Sequence, residues 1–193
     1  MPGATWNNYG VNKVISVCDT ISKYLHNIFG ENTLNIKVCR QYIDEDVFYP
    51  SEKPTNPIIA LSSRDQMQGL NLIKQFYLRY PQYRWISFKE MRGLKRDEFA
   101  ETLRESCLAV WIDSVAGFGT FPIEAAKSEV PTIALIPTIT PEFATETSCV
   151  WTNDLLSIPN LIGNFVKLWL EDRIPEEIKK GTKELSEKYG EDE

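Results

Sequence analysis

The chain has 193 residues, of which 42% are hydrophobic and 25% charged, and its formal net charge is −6. This composition is that of an ordinary globular protein. The acidic balance argues against non-specific binding to nucleic acid or to an anionic membrane, which requires a basic face. No hydrophobic run approaches the roughly 20 residues of a stable membrane span. The length allows one complete α/β domain and a fragment of a second.

Cysteine and histidine usage bears on compartment and metal binding. The four cysteines, Cys18, Cys39, Cys107 and Cys149, lie far apart, and three of them fall within hydrophobic, strand-like runs. This spacing predicts buried thiols in a reducing, cytoplasmic compartment and argues against a disulfide framework or a zinc site. The single histidine, His26, cannot form a histidine-based metal site and is predicted to be a surface or helix-packing residue. We therefore expect no bound metal.

The N-terminal part predicts a strand, a helix and a second strand. The strands are Val14–Cys18 and Ile36–Cys39, and Asp19 is predicted to cap the helix between them. The residues predicted to share one face of this helix are Ile21, Leu25 and Ile28. A polar, proline-containing connection at residues 51–56 marks a domain boundary. Residues 1–55 are accordingly assigned to a partial N-terminal segment and its linker.

The main sheet is predicted to begin after this boundary. Three hydrophobic runs are typical of buried strands, at Pro57–Ser62, Tyr83–Phe88 and Leu108–Ile112. Two helices are predicted between them, at Gln66–Tyr80 and Lys95–Ser106. The residues predicted to share one face of the first helix are Leu70, Ile73 and Tyr77. On the second helix, Phe99 and Leu103 are predicted to face inward.

The alternation continues to the end of the domain. Strands are predicted at Val130–Ile136 and Ser148–Trp151, followed by an amphipathic helix. Its hydrophobic stripe consists of Ile158, Leu161, Ile162, Phe165, Val166 and Trp169. Five strands alternating with helices predict an α/β fold with a doubly wound parallel sheet over residues 56–175. Residues 176–193 are predicted to form a charged tail, either a solvated helix or a frayed end.

The loop between the third and fourth strands of this sheet carries most of the functional information. Gly117 and Gly119 permit backbone angles closed to other residues and a close ligand approach, and Thr120 suits a helix cap. A loop at the carboxyl end of a parallel strand that opens a helix presents N–H groups to an anion such as phosphate. Glu124, one turn into the helix, is placed to accept hydrogen bonds from sugar hydroxyls. Alternatively the loop is a simple turn and Glu124 a partner of the helix dipole.

The same stretch resembles the E-G-F-G-x-x-x-x-E-A-M-A-x-G-x-P-V-I signature of family 4, retaining GT-B glycosyltransferases (group 1). The similarity runs through Gly117-Phe118-Gly119, Ile123-Glu124-Ala125-Ala126 and Val130-Pro131-Thr132-Ile133. It implies that the main domain is the C-terminal, donor-binding half of a GT-B enzyme, with a Rossmann-like sheet. Residues 41–50 are similar to the N-G-V-D-x-x-x-F-x-P linker of these enzymes. The N-terminal strand–helix–strand is then a remnant of the acceptor-side domain.

The resemblance also implies the binding residues. In this family the loop amides, here those of Gly117, Phe118, Gly119 and Thr120, contact the diphosphate of a nucleotide-sugar donor. Glu124 matches the last glutamate of the E-x7-E motif, which holds the ribose, and is the candidate catalytic residue. Ala116 stands in place of the first glutamate, which bears on catalysis more than on nucleotide binding.

A second set of positions departs in part from the family pattern. Arg64 matches the family's arginine and is the candidate for a charge-assisted contact with the diphosphate. Alternatively it forms a solvated ion pair with Asp65 or a neighbour. Gln68 replaces the customary lysine. Pro141 and Glu142 match the end of the family's glycine-rich segment, whereas its glycines are missing.

Two functions follow from these observations. The first is a donor domain that transfers a sugar, with retained configuration and without a metal cofactor, from a nucleotide-diphospho-sugar to a hydroxyl. This activity needs an acceptor domain from a partner protein or a homo-oligomer. The second is a degenerate, non-catalytic module that still binds a nucleotide or a protein. An unrelated doubly wound nucleotide binder is a third interpretation.

Overall fold

The computed structural model describes residues 6–30, 33–52 and 56–189. Seven strands lie in these ranges: β1 (Lys13–Ser16), β2 (Asn35–Val38), β3 (Ile58–Ser63), β4 (Ser87–Glu90), β5 (Ser106–Ile112), β6 (Thr132–Leu135) and β7 (Val150–Thr152). The α-helices are α1 (Asp19–Phe29), α2 (Gln66–Arg79), α3 (Arg96–Arg104), α4 (Phe121–Lys127), α5 (Ile158–Leu170) and α6 (Glu176–Lys188). Single 3₁₀ turns lie at Trp6–Tyr9, Pro81–Tyr83 and Leu155–Ser157.

Five of the described strands form one parallel sheet in the order β4-β3-β5-β6-β7. β3 pairs with β4 on one side and with β5 on the other, so the direction of winding reverses between β3 and β5. Every residue of β5 is buried, as expected for a central parallel strand covered on both faces. The doubly wound α/β sheet predicted from the sequence is confirmed.

Helices cover both faces of this sheet and define two hydrophobic cores. On one face α2 packs against α5, with Phe76, Leu108 and Ile162 in the core. On the other face α4 packs against α3 and α6, around Leu103, Ile123 and Leu185. The carboxyl ends of all five strands therefore meet at one edge, which stays open between the two helical layers.

The predicted N-terminal strand–helix–strand is present as a two-stranded parallel sheet, β1–β2, with α1 between its strands. The predicted cap is wrong by one residue. Cys18 is extended and its Sγ accepts the N–H of Ile21 at 3.5 Å, whereas Asp19 is already helical. Ile28, predicted to share one face with Ile21 and Leu25, is exposed, because α1 has only two strands to cover. Residues 53–55 of the predicted domain boundary lie outside the described residues.

Two predictions about α2 and β4 need correction. The buried face of α2 carries Gly69, Leu72 and Phe76, while Leu70 is exposed. Gly69 lets the helix approach the sheet, since a β-carbon there would lie 3.2 Å from Ser63 Cβ, and this contact fixes the rotation of the helix. β4 begins at Ser87, four residues later than predicted, because Pro81 opens a 3₁₀ turn before the strand.

The described part of the predicted charged tail is a helix, one of the two alternatives, but this helix is not wholly solvated. α6 buries Gly181, Thr182 and Leu185, and Tyr189 behind it is buried as well. The charged residues lie on the opposite face, where Lys179–Glu176, Lys180–Glu184 and Lys183–Glu187 form exposed ion pairs. The helix is therefore amphipathic and belongs to the core beside α4.

The cysteines agree with the prediction in three of four cases. All four are free thiols, and Cys18, Cys107 and Cys149 are buried, whereas Cys39 is exposed. Cys39 directly follows β2 in the small sheet, which, unlike the main sheet, is not covered by helices on both faces.

Candidate functional site

Arg64 and Asp113 meet at the point where the sheet reverses its winding. Arg64 follows β3 and Asp113 follows β5, and Arg64 Nη1 lies 3.4 Å from Asp113 Oδ2. The arginine side chain is 63% exposed and the aspartate side chain 16% exposed. Asp65, the partner named as an alternative, instead accepts the N–H of Met67 at 2.8 Å and caps α2. Arg64 thus presents a largely exposed guanidinium at the carboxyl edge.

Asp113 organises the start of the central loop, a role that sequence reasoning missed. Its Oδ1 accepts the backbone N–H groups of Val115 and Ala116, at 2.9 and 3.1 Å. An aspartate that accepts from the N–H two residues on is an Asx turn, and an Asp directly after a strand is the signal for one. Two amides of the loop are therefore bound by a carboxylate of the chain itself.

Close packing, and not an unusual backbone angle, is the reason for glycine at positions 117 and 119 of the loop. Neither Gly117 nor Gly119 has a positive φ, so the expectation of special backbone angles is wrong. A β-carbon on Gly119 would clash with the indole of Trp111, and one on Gly117 would clash with Ile21 and lie 2.7 Å from Ile139 Cγ2. Both glycines allow other parts of the chain to approach the loop.

Replacing Gly119 with alanine should therefore reduce the free energy of unfolding by about 2 kcal/mol, the range for overpacking against a rigid ring. Urea unfolding measures this change. Ala116→Gly, at the half-buried neighbouring site, serves as the loop control. A Gly119→Ala protein as stable as the parent would show that the indole is free to move.

Phe118 is a packing residue. Its ring stacks edge-on against Phe143, with centroids 5.8 Å apart, and lies 6.2 Å from the ring of Tyr189. The side chain therefore joins the loop to the end of α6. Because the ring is packed in this way, Phe118 would contact a ligand through its backbone N–H.

Glu124 lies in a cavity of about 490 Å³ between the loop, α3 and residues 41–48. The cavity is lined by Gln41, Tyr42, Ile43, Asp44, Phe48, Leu94, Arg96, Phe99, Thr120 and Glu124. Burial raises the pKa of Glu124 from 4.5 to about 7, although a hydrogen bond from the Thr120 side chain and the charge of Arg96 oppose the shift. Thr120 is the N-cap of α4 but caps no backbone N–H with its side chain. The Thr120 side chain is hydrogen-bonded to Glu124 instead.

The predicted linker forms one wall of this cavity. Ile43 and Phe48 are buried, Arg96 Nη2 lies 2.6 Å from Asp44 Oδ2, and the buried Lys127 pairs with Glu45. These contacts hold residues 41–48 against α3 and α4. The segment thus shapes the site in addition to connecting two parts of the chain, which the motif alone did not indicate.

Four backbone N–H groups of the loop are free to donate. Among the described residues, no hydrogen bond engages the N–H of Gly117, Phe118, Gly119 or Thr120. They lie at the carboxyl edge, next to the Glu124 cavity, whereas the N–H groups of Ile123 and Glu124 in the first turn of α4 already donate to the carbonyl of Thr120. A row of free N–H groups attracts an anion.

A larger cavity, of about 680 Å³, lies between residues 144–151 and α6. It is lined mainly by apolar and hydroxyl side chains and contains none of the predicted site residues. The Glu124 cavity is smaller, but it adjoins the loop donors at the winding reversal. Fold geometry therefore favours the Glu124 cavity as the ligand site.

Two further findings concern the described ranges alone. Within residues 6–30, 33–52 and 56–189, no three His, Cys, Asp or Glu side chains come close enough together to hold a metal ion. No helix in that part of the chain has the length and hydrophobicity needed to cross a membrane.

Similarity to solved structures is extensive although sequence identity is low. The pneumococcal O-GlcNAc transferase GtfA, in complex with UDP and GlcNAc, matches 95% of this chain with 43% of its own, at a TM-score of 0.67 and 14% identity. Anabaena Alr3699/HepE, in complex with UDP and glucose, matches 93% of this chain with 59% of its own, at a TM-score of 0.65 and 12% identity.

A third structure shows how much of this chain corresponds to an isolated C-terminal domain. The C-terminal domain of the glycosyl transferase group 1 family protein LpcC from Francisella tularensis is covered to 99% by 77% of this chain, at a TM-score of 0.56 and 15% identity. No family model and no curated protein matches the sequence. The chain spans about half the length of the complete proteins it resembles. Its fold is that of the C-terminal half of a GT-B glycosyltransferase, as the motif resemblance predicted.

Proposed function

We propose that this chain is the donor-binding half of a cytoplasmic glycosyltransferase and that it binds a nucleotide-diphospho-sugar. The nucleoside occupies the Glu124 cavity, with the Glu124 carboxylate accepting hydrogen bonds from the ribose hydroxyls. The diphosphate lies on the free N–H groups of Phe118, Gly119 and Thr120. UDP is the first nucleotide to consider, because it is present in structures of two proteins with this fold.

The observation that carries this proposal is the placement of Glu124. A half-buried carboxyl group with a raised pKa, in a cavity beside a row of free N–H groups, is a costly arrangement for a merely structural residue. A sugar hydroxyl pair compensates it by donating to the carboxylate, and an anion compensates the unpaired amides.

The same elements suggest how transfer proceeds. Negative charge develops on the departing nucleotide, and donors fixed in advance at that position stabilise it. Loop amides and the exposed Arg64 guanidinium supply these donors without a metal cofactor. We propose transfer with retention to a hydroxyl acceptor, as the motif resemblance implies.

A complete reaction also needs an acceptor-binding half. The β1–β2 sheet supports docking of such a half, because a parallel sheet is normally covered on both faces and Ile15 is 73% exposed here. Further residues of a longer chain, a partner protein or a second copy would each supply this cover.

Ligand-observed NMR with UDP, GDP and ADP tests the nucleotide site directly. We expect saturation transfer to one nucleotide and its loss in Glu124→Ala, with affinity reduced by at least about tenfold. Glu101→Ala, which removes an exposed carboxylate from α3, is the matched control. If no nucleotide gives a signal, the donor-site assignment is wrong for this chain.

One observation favours a second candidate, a non-catalytic module. Asp113 already binds two loop amides and holds Arg64, and Ala116 stands in place of a motif glutamate. Such a module keeps the nucleotide cavity, or a protein-binding surface, without transferring a sugar. Supplying an acceptor half and measuring transfer or donor hydrolysis distinguishes the two functions.

A further inference from the structure

The end of the loop remote from the Glu124 cavity is closed by two isoleucines. Gly117 is buried although it lies at the open edge of the sheet. The Cδ1 atom of Ile21, from α1, and the Cγ2 atom of Ile139, from the segment after β6, cover the face of Gly117 on which a side chain would project. The two side chains come from parts of the chain more than a hundred residues apart.

This cover is held in place by polar contacts as well. The backbone N–H of Asp19 donates to Glu142 Oε2 at 3.0 Å, and Arg40 Nη2 lies 3.2 Å from Asp19 Oδ2. The hydroxyl of Thr138 donates to the carbonyl of Ser114 at 2.9 Å. The start of α1 and residues 138–142 are thus both fastened over the loop.

The direction of a bound nucleotide follows from the strand order. The Glu124 cavity is lined by Leu94 and Arg96, which follow β4, whereas Ile139 follows β6 on the other side of β5. A nucleoside in the cavity with its diphosphate on the amides of residues 118–120 therefore points its distal end toward Gly117. Any group attached to the second phosphate meets Ile21 and Ile139.

We propose that Ile21 and Ile139 determine ligand specificity by occupying the space of the transferred sugar, so that this chain binds a nucleoside diphosphate more tightly than its sugar conjugate. The inference rests on the nucleotide site of the proposed function. Two apolar side chains in van der Waals contact with the loop exclude a polar sugar by volume, and they offer no partner for its hydroxyls. Transfer then requires α1 to move away from the loop.

Calorimetric titration with UDP and with UDP-glucose tests this proposal in four proteins. The parent should bind UDP at least about tenfold more tightly than UDP-glucose, a ratio typical of steric exclusion. In Ile21→Ala and in Ile139→Ala the ratio should fall by about fivefold or more, with UDP affinity changed by less than about twofold. Ile28→Ala, on the same helix but exposed and remote from the loop, should keep the parental ratio.

The outcomes distinguish failure of this inference from failure of the proposed function. UDP binding with equal affinity for UDP-glucose in the parent, or an unchanged ratio in both variants, overturns the inference and leaves the nucleotide site intact. If the parent and Ile28→Ala bind none of UDP, GDP and ADP, the proposed function is overturned and the inference with it; if one of the other two nucleotides binds in place of UDP, that nucleotide and its sugar conjugate form the test pair. Retained UDP affinity in each variant shows that it is folded.

Discussion

Replacing Glu124 with glutamine should stabilise the protein at alkaline pH while weakening nucleotide binding. Burial raises the pKa of Glu124 to about 7, so near pH 8 folding forces a carboxylate into a site that disfavours charge. Glutamine has the same shape, can still accept from Thr120 and carries no charge. The binding function would then be maintained at the expense of stability, as is common for residues at functional sites.

The sign of the pH dependence follows from proton linkage. Between its ordinary pKa of 4.5 and about 7, Glu124 is protonated in the folded state and ionised in the unfolded state. The folded state thus binds more protons, and stability falls as the pH rises through this window. From about pH 5.5 to pH 8 the loss at this one group amounts to about 2 kcal/mol.

Urea unfolding of the parent and of Glu124→Gln at these two pH values measures the effect. The free energy of unfolding of the variant minus that of the parent should grow by about 2 kcal/mol toward the higher pH. Contributions from all other groups cancel in this difference. Glu101→Gln, at an exposed position, should give a flat difference. An advantage that shrinks with rising pH would show that the carboxylate is stabilised in the folded protein and would remove the argument for a compensating ligand.

Much of the fold was predictable because it depends on short-range patterns. The buried runs around Ile59 and Val110 and the stripe from Ile158 to Trp169 reflect hydrophobic periodicity, which a single sequence contains. The position of Glu124 was predictable too, since a helix that follows a parallel strand must start at the carboxyl edge. Its neighbours across the cavity, Asp44 and Arg96, were not assigned to the site.

What could not be predicted depends on contacts between distant parts of the chain. The loop glycines looked like sites of free backbone rotation, whereas Ile21, Trp111 and Ile139 determine why a side chain is excluded there. Residues 176–189 looked solvated because their composition is charged. The apolar face of this helix is narrow, so it could be recognised as a packing face only once the contact with α4 was known.

Gly181 makes such a contact, and because of it the effect of a glycine-to-alanine substitution on stability should be opposite to the usual one. Alanine in place of glycine within a helix normally stabilises it by about 1 kcal/mol. A β-carbon on Gly181, however, would overlap the backbone carbonyl oxygen of Thr147. Backbone cannot rotate away as a side chain can, so α6 must shift from its position on the core. Gly181→Ala should therefore reduce the free energy of unfolding by about 3 kcal/mol, the upper range for overpacking.

Chemical denaturation of Gly181→Ala measures this loss, with Lys183→Ala on the exposed face of α6 as a control expected within about 0.5 kcal/mol of the parent. Thr147→Gly should fail to rescue the variant, since the obstructing atom belongs to the backbone. If Gly181→Ala is instead more stable than the parent, α6 does not pack here and the charged-tail interpretation is restored. Because α6 also supports Phe118 through Tyr189, a packed helix further implies that Gly181→Ala weakens nucleotide binding at the loop.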